Sequence, residues 1–247
     1  MIEEHGAQIA LILLPGVQYY TGQVLNMKEI TRLGHQAGCK VGFDLAHAVG
    51  NIELAVHDWG MDFACWCTYK YLNSGPGATG GCFVHKRHIT DESLIRFAGW
   101  WGHNKNTRFE MGSEFDPIPT VESWQISNPV IFSMAAILAS LDLFDKAGGM
   151  RVLRQKSELM IAYMDSLLDK MVADEVENIT PREMAARSCQ FSLRLKRADG
   201  RAVFEQLQSA GVACDWRFPN VIRVAPVPLY NSFADIERFV KLLRGLL

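Results

Sequence analysis

The strongest constraint on this chain is an alternation between residues 8 and 85, where short apolar runs are separated by one helical stretch and several loops. Gln8–Leu14 is apolar on both faces, as expected of a strand buried within a parallel sheet. Met27–Cys39 carries Ile30, Leu33 and Ala37 at helical spacing, with Asn26 placed as N-cap and Gly38 near the end. Val41–Asp44, Asp62–Thr68 and Gly81–His85 read as three further strands. Strand, helix and strand in this order predict right-handed crossovers and a mostly parallel sheet covered on both faces.

The second half has a different rhythm. Pro129–Ala147 and Met150–Val172 read as long helices broken at Gly148-Gly149. Beyond Pro181 come a strand (Gln190–Leu195), a helix (Arg201–Ala210), two strands (Val212–Trp216 and Val221–Val224) and a closing helix from Phe233. Ser232 and Asp235 have the spacing of a capping box at its start. The predicted organisation is α/β: a large part over residues 1–145, a bridging helical region over 146–180 and a small α+β domain over 181–247.

Composition narrows the function classes. With 49% hydrophobic and 21% charged residues, the chain can bury a substantial core. A formal charge of -2 gives no pull towards nucleic acid or an anionic membrane. The apolar run Ile9–Leu14 is too short for a membrane helix and follows Glu3 and Glu4 where a leader would be basic, so a cytoplasmic chain is expected. No cysteine pair has C-x-x-C spacing, and six reduced thiols fit that compartment. Cys65 and Cys67 would share one face of a strand, but no His or Cys follows at ligand spacing, so no metal is expected.

The chemistry concentrates around Thr68-Tyr69-Lys70-Tyr71 and the glycine-rich segment Gly75-Pro76-Gly77-Ala78-Thr79-Gly80-Gly81. A lysine just beyond a buried strand sits at the carboxyl edge of a parallel sheet, where open α/β folds bind ligands. Glycines there allow close backbone approach. Asp44 ends its own strand upstream, and two adjacent parallel strands would bring it to the same edge as Lys70. An aldehyde cofactor held as a lysine Schiff base, with a pyridine ring as electron sink, needs this pair, because a carboxylate keeps the ring nitrogen protonated. His47 can lie against such a ring or hydrogen-bond the carboxylate. Singly, Lys70 reads as a surface charge, Asp44 as a helix cap and His47 as a buried structural histidine; together they favour a cofactor site.

At these residues the sequence resembles the class V pyridoxal-phosphate enzymes of fold type I, and among them the kynureninases. The resemblance is carried by Phe43-Asp44-Leu45-Ala46-His47-Ala48-Val49-Gly50-Asn51, Asp62-Phe63-Ala64-Cys65-Trp66-Cys67 and Tyr69-Lys70-Tyr71-Leu72-Asn73. It continues in Gly99-Trp100-Trp101-Gly102-His103, Ile126-Ser127-Asn128-Pro129 and Arg223 through Ser232. It implies pyridoxal 5'-phosphate as cofactor and hydrolysis of kynurenine or 3-hydroxykynurenine to anthranilate or 3-hydroxyanthranilate plus alanine, within tryptophan catabolism and NAD biosynthesis. Lys70 would carry the cofactor and move the α-proton, and Asp44 would pair with the pyridine nitrogen. His47 would flank the ring, while Tyr69 would bind the phosphate and assist proton transfer. Trp100 and Asn128 match cofactor contacts that the family supplies from the neighbouring subunit of a homodimer with shared active sites. His103 matches a residue on the aromatic side of the substrate, and Arg223 the clamp on its carboxylate, a task suited to a planar guanidinium fork.

Two departures from the family pattern stand out. Pro15 occupies a position where the family usually has a serine that donates to the phosphate, and proline has no donor to give. The family also carries a long N-terminal portion ahead of the segment matched here. The chain is therefore expected to be incomplete, to leave the edge of Gln8–Leu14 open, and to show no hydrolysis by itself. The competing expectations are a silent fragment acting through its dimer surface, or a cysteine desulfurase. The latter needs a reactive cysteine on a mobile loop, whereas the cysteines here lie in or beside strand-like runs.

Overall fold

The computed structural model describes residues 2–247. A short helix α1 (Ile2–His5) leads into strand β1 (Leu11–Pro15), followed by α2 (Met27–Gln36), β2 (Lys40–Asp44), β3 (Phe63–Trp66) and β4 (Gly81–Val84). These strands form one sheet in the order β1-β2-β3-β4. The β1–β2 and β2–β3 pairings are parallel and the β3–β4 pairing is antiparallel, so the sheet is mostly parallel as predicted. Helix α2 carries the β1-to-β2 crossover, and the Asn26 side chain caps it by accepting from the Glu29 N–H at 3.1 Å. Between β3 and β4 no helix carries the chain back along the sheet. It turns within tight loops at the carboxyl edge and returns in the opposite direction.

One face of this sheet packs into a core of Ile12, Val41, Phe43, Leu45, Met61 and Ala64. The opposite face is exposed at Leu11 (48%) and Leu13 (53%), and at Cys65 and Cys82. The burial of β1 on both faces predicted from its composition is therefore not observed. It is an edge strand: alternation turns Ile12 and Leu14 to the core side, yet only Ile12 is buried and Leu14 stays exposed.

The C-terminal half comprises α3 (Ile131–Lys146), α4 (Gly149–Met171), β5 (Val176–Asn178), β6 (Phe191–Leu195), α5 (Gly200–Ser209), β7 (Asp215–Arg217), β8 (Val221–Val224) and α6 (Phe233–Leu246). Its sheet runs β5-β6-β8-β7 and is antiparallel throughout. Met160, Ile161, Met164, Phe191, Leu193, Leu207, Ile222 and Val240 fill the core between this sheet and helices α4, α5 and α6. The capping box forms as the sequence predicts, with Ser232 and Asp235 each bonding the other's backbone N–H. Strand β5 was not predicted: three residues are too few for a period-two signal.

Polar contacts join the two halves near the carboxyl edge of the first sheet. Thr180 Oγ1 donates to the Thr21 carbonyl at 2.6 Å, and Ser188 N–H to Gly22 at 3.2 Å. Asn51 bridges directly: its Nδ2 donates to the His47 carbonyl at 3.0 Å and its Oδ1 accepts from Cys189 N–H at 3.2 Å. The turn bearing His47 is thereby tied to the segment Cys189-Gln190 that leads into β6.

Candidate active site

Asp44 is the last residue of β2 and lies opposite Cys65 in the parallel register with β3. Five residues after Cys65 the chain presents Lys70, in a loop closed by Thr68 Oγ1 donating to the Thr79 carbonyl at 2.6 Å and Ser74 N–H donating to Thr68 at 3.1 Å. Asp44 and Lys70 thus reach the same carboxyl edge, as predicted. Gly50 sets the spacing between the His47 turn and this loop. Its φ is +79°, and a Cβ there would lie 2.8 Å from the backbone carbon and oxygen of Tyr71, a contact that no larger residue can make.

The result is a cleft of about 300 Å³ between the two sheets, lined by His47, Lys70, Tyr71, Gln190, Asp215 and Arg223 among others. The His47 ring packs edge-on against Tyr71 at 6.1 Å. Burial, and then the charges of Lys70 and Arg223, lower its pKa to about 4 against the opposing pull of Asp44. His47 is therefore neutral at neutral pH, and its Nδ1 is buried without a partner. Arg223 is held from two sides: Nη1 donates to the Tyr19 carbonyl at 2.6 Å and Nη2 to Asp215. Asp215 also accepts from Arg217 Nη2 at 3.3 Å, and its Oδ1 is buried without a partner.

The remaining predicted residues are placed differently. Asp44 is exposed and its Oδ1 accepts from Ala46 N–H at 2.8 Å, a tight turn in place of the helix cap considered for it singly. Tyr69 is exposed, with Lys70 Nζ 5.8 Å from its ring centre, and lies outside the cleft lining. Its neighbour Cys67 raises its phenol pKa, so Tyr69 is a hydrogen-bond donor at neutral pH. Trp100 packs against Phe109 at 5.1 Å, and His103 against Phe115 at 5.8 Å with Nε2 3.4 Å from Thr107 Oγ1. Asn128 is exposed ahead of Pro129. None of these three lines the cleft. Conversely, Tyr71, Gln190 and Asp215 are cleft residues the sequence did not single out. Asp215 sits in a run legible only as a strand, and its role depends on the strand pairing that sets it beside Arg223.

The family profile described as "Kynureninase C-terminal domain" matches residues 153–243. A kynureninase of Myxococcus xanthus is 53% identical over 244 residues, covering 99% of this chain and 57% of the relative. Kynureninases of Xanthomonas euvesicatoria and Koribacter versatilis are each 54% identical, over 97% and 98% of this chain and 57% and 56% of their own lengths. The chain is similar over nearly its whole length to kynureninases. It matches the C-terminal part of these relatives and spans a little over half of their length.

Solved structures agree at the level of fold. A cystine C–S lyase in complex with cysteine persulfide aligns with a TM-score of 0.78 at 17% identity, over 98% of this chain and 62% of the other. A variant of that lyase with glycine covalently linked to its PLP cofactor aligns at 0.75 and 16% identity, over 95% and 60%. A cysteine desulfurase from Escherichia coli aligns at 0.77 and 14% identity, over 97% and 59%. The α/β architecture predicted for a class V pyridoxal-phosphate enzyme is thus present. The desulfurases share this fold at low identity, whereas the kynureninases share about half of the residues.

Proposed function

We propose that this chain supplies the lysine-bearing side of a kynureninase active site that uses pyridoxal 5'-phosphate to hydrolyse kynurenine or 3-hydroxykynurenine. The observation that carries this reading is the convergence of Lys70, neutral His47 and Arg223 on one cleft. The donor set suits the cofactor: a primary amine for its aldehyde, a carboxylate at the same sheet edge for its pyridine nitrogen, and an unpartnered imidazole nitrogen beside both. When bound, the cofactor supplies an electron sink that stabilises a carbanion at the substrate α-carbon.

The protein residues then have distinct tasks. Lys70 Nζ would hold the cofactor, and its amine is the base placed to take the α-proton. Asp44 keeps the pyridinium protonated from the end of β2. His47, held neutral, adds no charge against that ring. Arg223 receives the α-carboxylate through its fork, with Asp215 and the Tyr19 carbonyl fixing the guanidinium plane. Tyr69, a donor at neutral pH, serves the phosphate or the ketone oxygen.

Homodimerisation belongs to the same proposal. Ile95, Phe97, Trp100, Ile131, Phe132 and Leu138 are all exposed, an apolar surface of the kind that marks association sites. Trp100 and Asn128 lie in that region and could enter a neighbour's cleft. No described helix is long and apolar enough to cross a membrane, and free thiols fit the proposed cytoplasmic setting.

The test is anthranilate fluorescence from kynurenine with excess pyridoxal phosphate, using the chain joined to the part of the M. xanthus relative that the match leaves uncovered. Release of anthranilate that disappears in Lys70→Ala supports the proposal; equal rates in both overturn it.

A further inference from the structure

We propose that Cys65 and Cys82 form a reversible dithiol–disulfide site open to small-molecule disulfides of the glutathione class. This stands apart from the proposed activity, which assigns neither thiol a task.

The geometry comes from the strand pairing. Cys65 and Cys82 are directly opposite in the antiparallel register of β3 and β4, on the exposed face of the sheet. Leu45 N–H donates to the Cys65 carbonyl at 2.8 Å, so the Cys65 peptide groups point towards β2. His85 N–H donates to the Asp62 carbonyl at 2.9 Å, which gives the β4-facing bonds to the even-numbered residues of this segment. Cys65 and Cys82 are therefore a non-hydrogen-bonded pair, the type whose Cα atoms approach to about 4.5 Å and whose side chains lie closest. A disulfide spans Cα separations of about 4.4–6.8 Å. The other four thiols are placed otherwise: Cys39 and Cys189 are buried, Cys67 lies beyond the end of β3, and Cys214 precedes β7 of the second sheet.

Burial, Asp44 and Cys82 raise the Cys65 thiol pKa. Attack begins at Cys82, because its strand β4 is the edge of the sheet while Cys65 lies on the inner strand β3. Its thiolate attacks one sulfur of glutathione disulfide, the S–S bond breaks, and one glutathione leaves as thiolate. The Cys65 thiolate then attacks the Cys82 sulfur of the mixed disulfide, forming the cross-strand bond and releasing the second glutathione. Two protein thiols are oxidised and one glutathione disulfide is reduced. The two thiol protons pass to the two glutathione molecules formed. Because Pro15, Asp44, Cys65 and Cys82 occupy one register row across all four strands, the pair's redox state is set beside the carboxylate at the candidate cofactor edge.

The experiment incubates the reduced chain with glutathione disulfide, blocks remaining thiols with iodoacetamide and digests with trypsin without reduction. The expected product, carried by the monomer, is peptide 41–70 linked to peptide 71–86 and separated by dithiothreitol. Cys67→Ser keeps the link; Cys65→Ser loses it and accumulates glutathione on Cys82. Glutathione adducts without a link in the wild-type chain, a link between two chains, or a link that survives Cys65→Ser would each overturn the proposal. Circular dichroism of each variant separates loss of the site from loss of fold.

Discussion

The guanidinium of Arg223 donates to the carboxylate of Asp215 from the neighbouring strand, and its side chain is only 13% exposed. One carboxylate thus holds two arginines, since Arg217 reaches the same oxygen. Removing it would leave two guanidinium groups facing each other without compensation. Asp215→Ala is expected to lower the melting temperature and to weaken kynurenine binding by calorimetry, whereas a surface control such as Asp58→Ala does neither. In the chain joined to the uncovered part of the M. xanthus relative, Arg223→Lys, which keeps the charge but loses the fork, should weaken binding about 10- to 100-fold, as expected for one charge-assisted contact of roughly 1.5–3 kcal/mol. Unchanged affinity in Arg223→Lys would make Arg223 purely structural.

His47 makes the fold sensitive to mild acid. Its pKa is about 4 in the fold against about 6.5 when exposed, so the unfolded chain binds the extra proton between these values. The sign is that stability is full above pH 6.5 and falls as pH drops towards 4, by at most about 1.4 kcal/mol per pH unit for one proton. Urea midpoints measured across that window should fall more steeply in the wild-type chain than in His47→Asn. Parallel curves would place the proton elsewhere.

A second charged centre lies away from the cleft. Asp62, 4% exposed, accepts from Val41 N–H at 2.7 Å, His35 Nε2 at 2.9 Å and His88 Nε2 at 2.6 Å, with Arg87 Nε at 3.3 Å. Burial pushes its carboxyl up, but these donors outweigh it and hold the group well below the usual carboxylate range. Its contribution is therefore present above about pH 4 and lost on further acidification. Asp62→Ala, which breaks a buried charged network, should cost about 3–5 kcal/mol in denaturant titrations. A loss below 1 kcal/mol would show that the network is solvated.

Gly50 couples the His47 turn to the Lys70 loop. Gly50→Ala would force a left-handed residue, at about 1–2 kcal/mol, and push its Cβ against the Tyr71 backbone. The expected result is reduced stability together with a shifted environment of Tyr71, read from tyrosine fluorescence. A change in stability without any change at Tyr71 would uncouple the two segments.

Much of this was legible in the sequence, for identifiable reasons. Asp44 ends β2 and Lys70 follows the end of β3 in the next loop, both after unmistakable apolar runs, and parallel pairing then leaves them a single edge to share. The capping box of Ser232 and Asp235 is a local signal and formed as read. The exposure of Leu11 and Leu13 was hidden, because an apolar run looks the same at the edge of a sheet as at its centre. Asp215 and Gln190 were hidden for another reason: only the pairing of β7 with β8 sets Asp215 beside Arg223, and the partner of Gln190, the carbonyl of Tyr19, is distant in sequence. Tyr69 was singled out as a cofactor residue, yet the residue that lines the cleft two positions later is Tyr71.

The open edge and exposed face of β1 bear on activity. Leu11 and Leu13 present apolar surface beside an unpaired strand edge, a template for association. The chain by itself is expected to show no anthranilate release above its Lys70→Ala control and to sediment partly as larger species. Turnover by the isolated chain would show that the cleft is self-sufficient.

The central claim is that Lys70 is the cofactor lysine, and borohydride trapping tests it most directly. The chain is saturated with pyridoxal phosphate, reduced and digested, and the pyridoxyl label is mapped by mass spectrometry. The structure predicts one dominant label on Lys70, absent from Lys70→Ala. A label spread over the other lysines, or undiminished in Lys70→Ala, would contradict it.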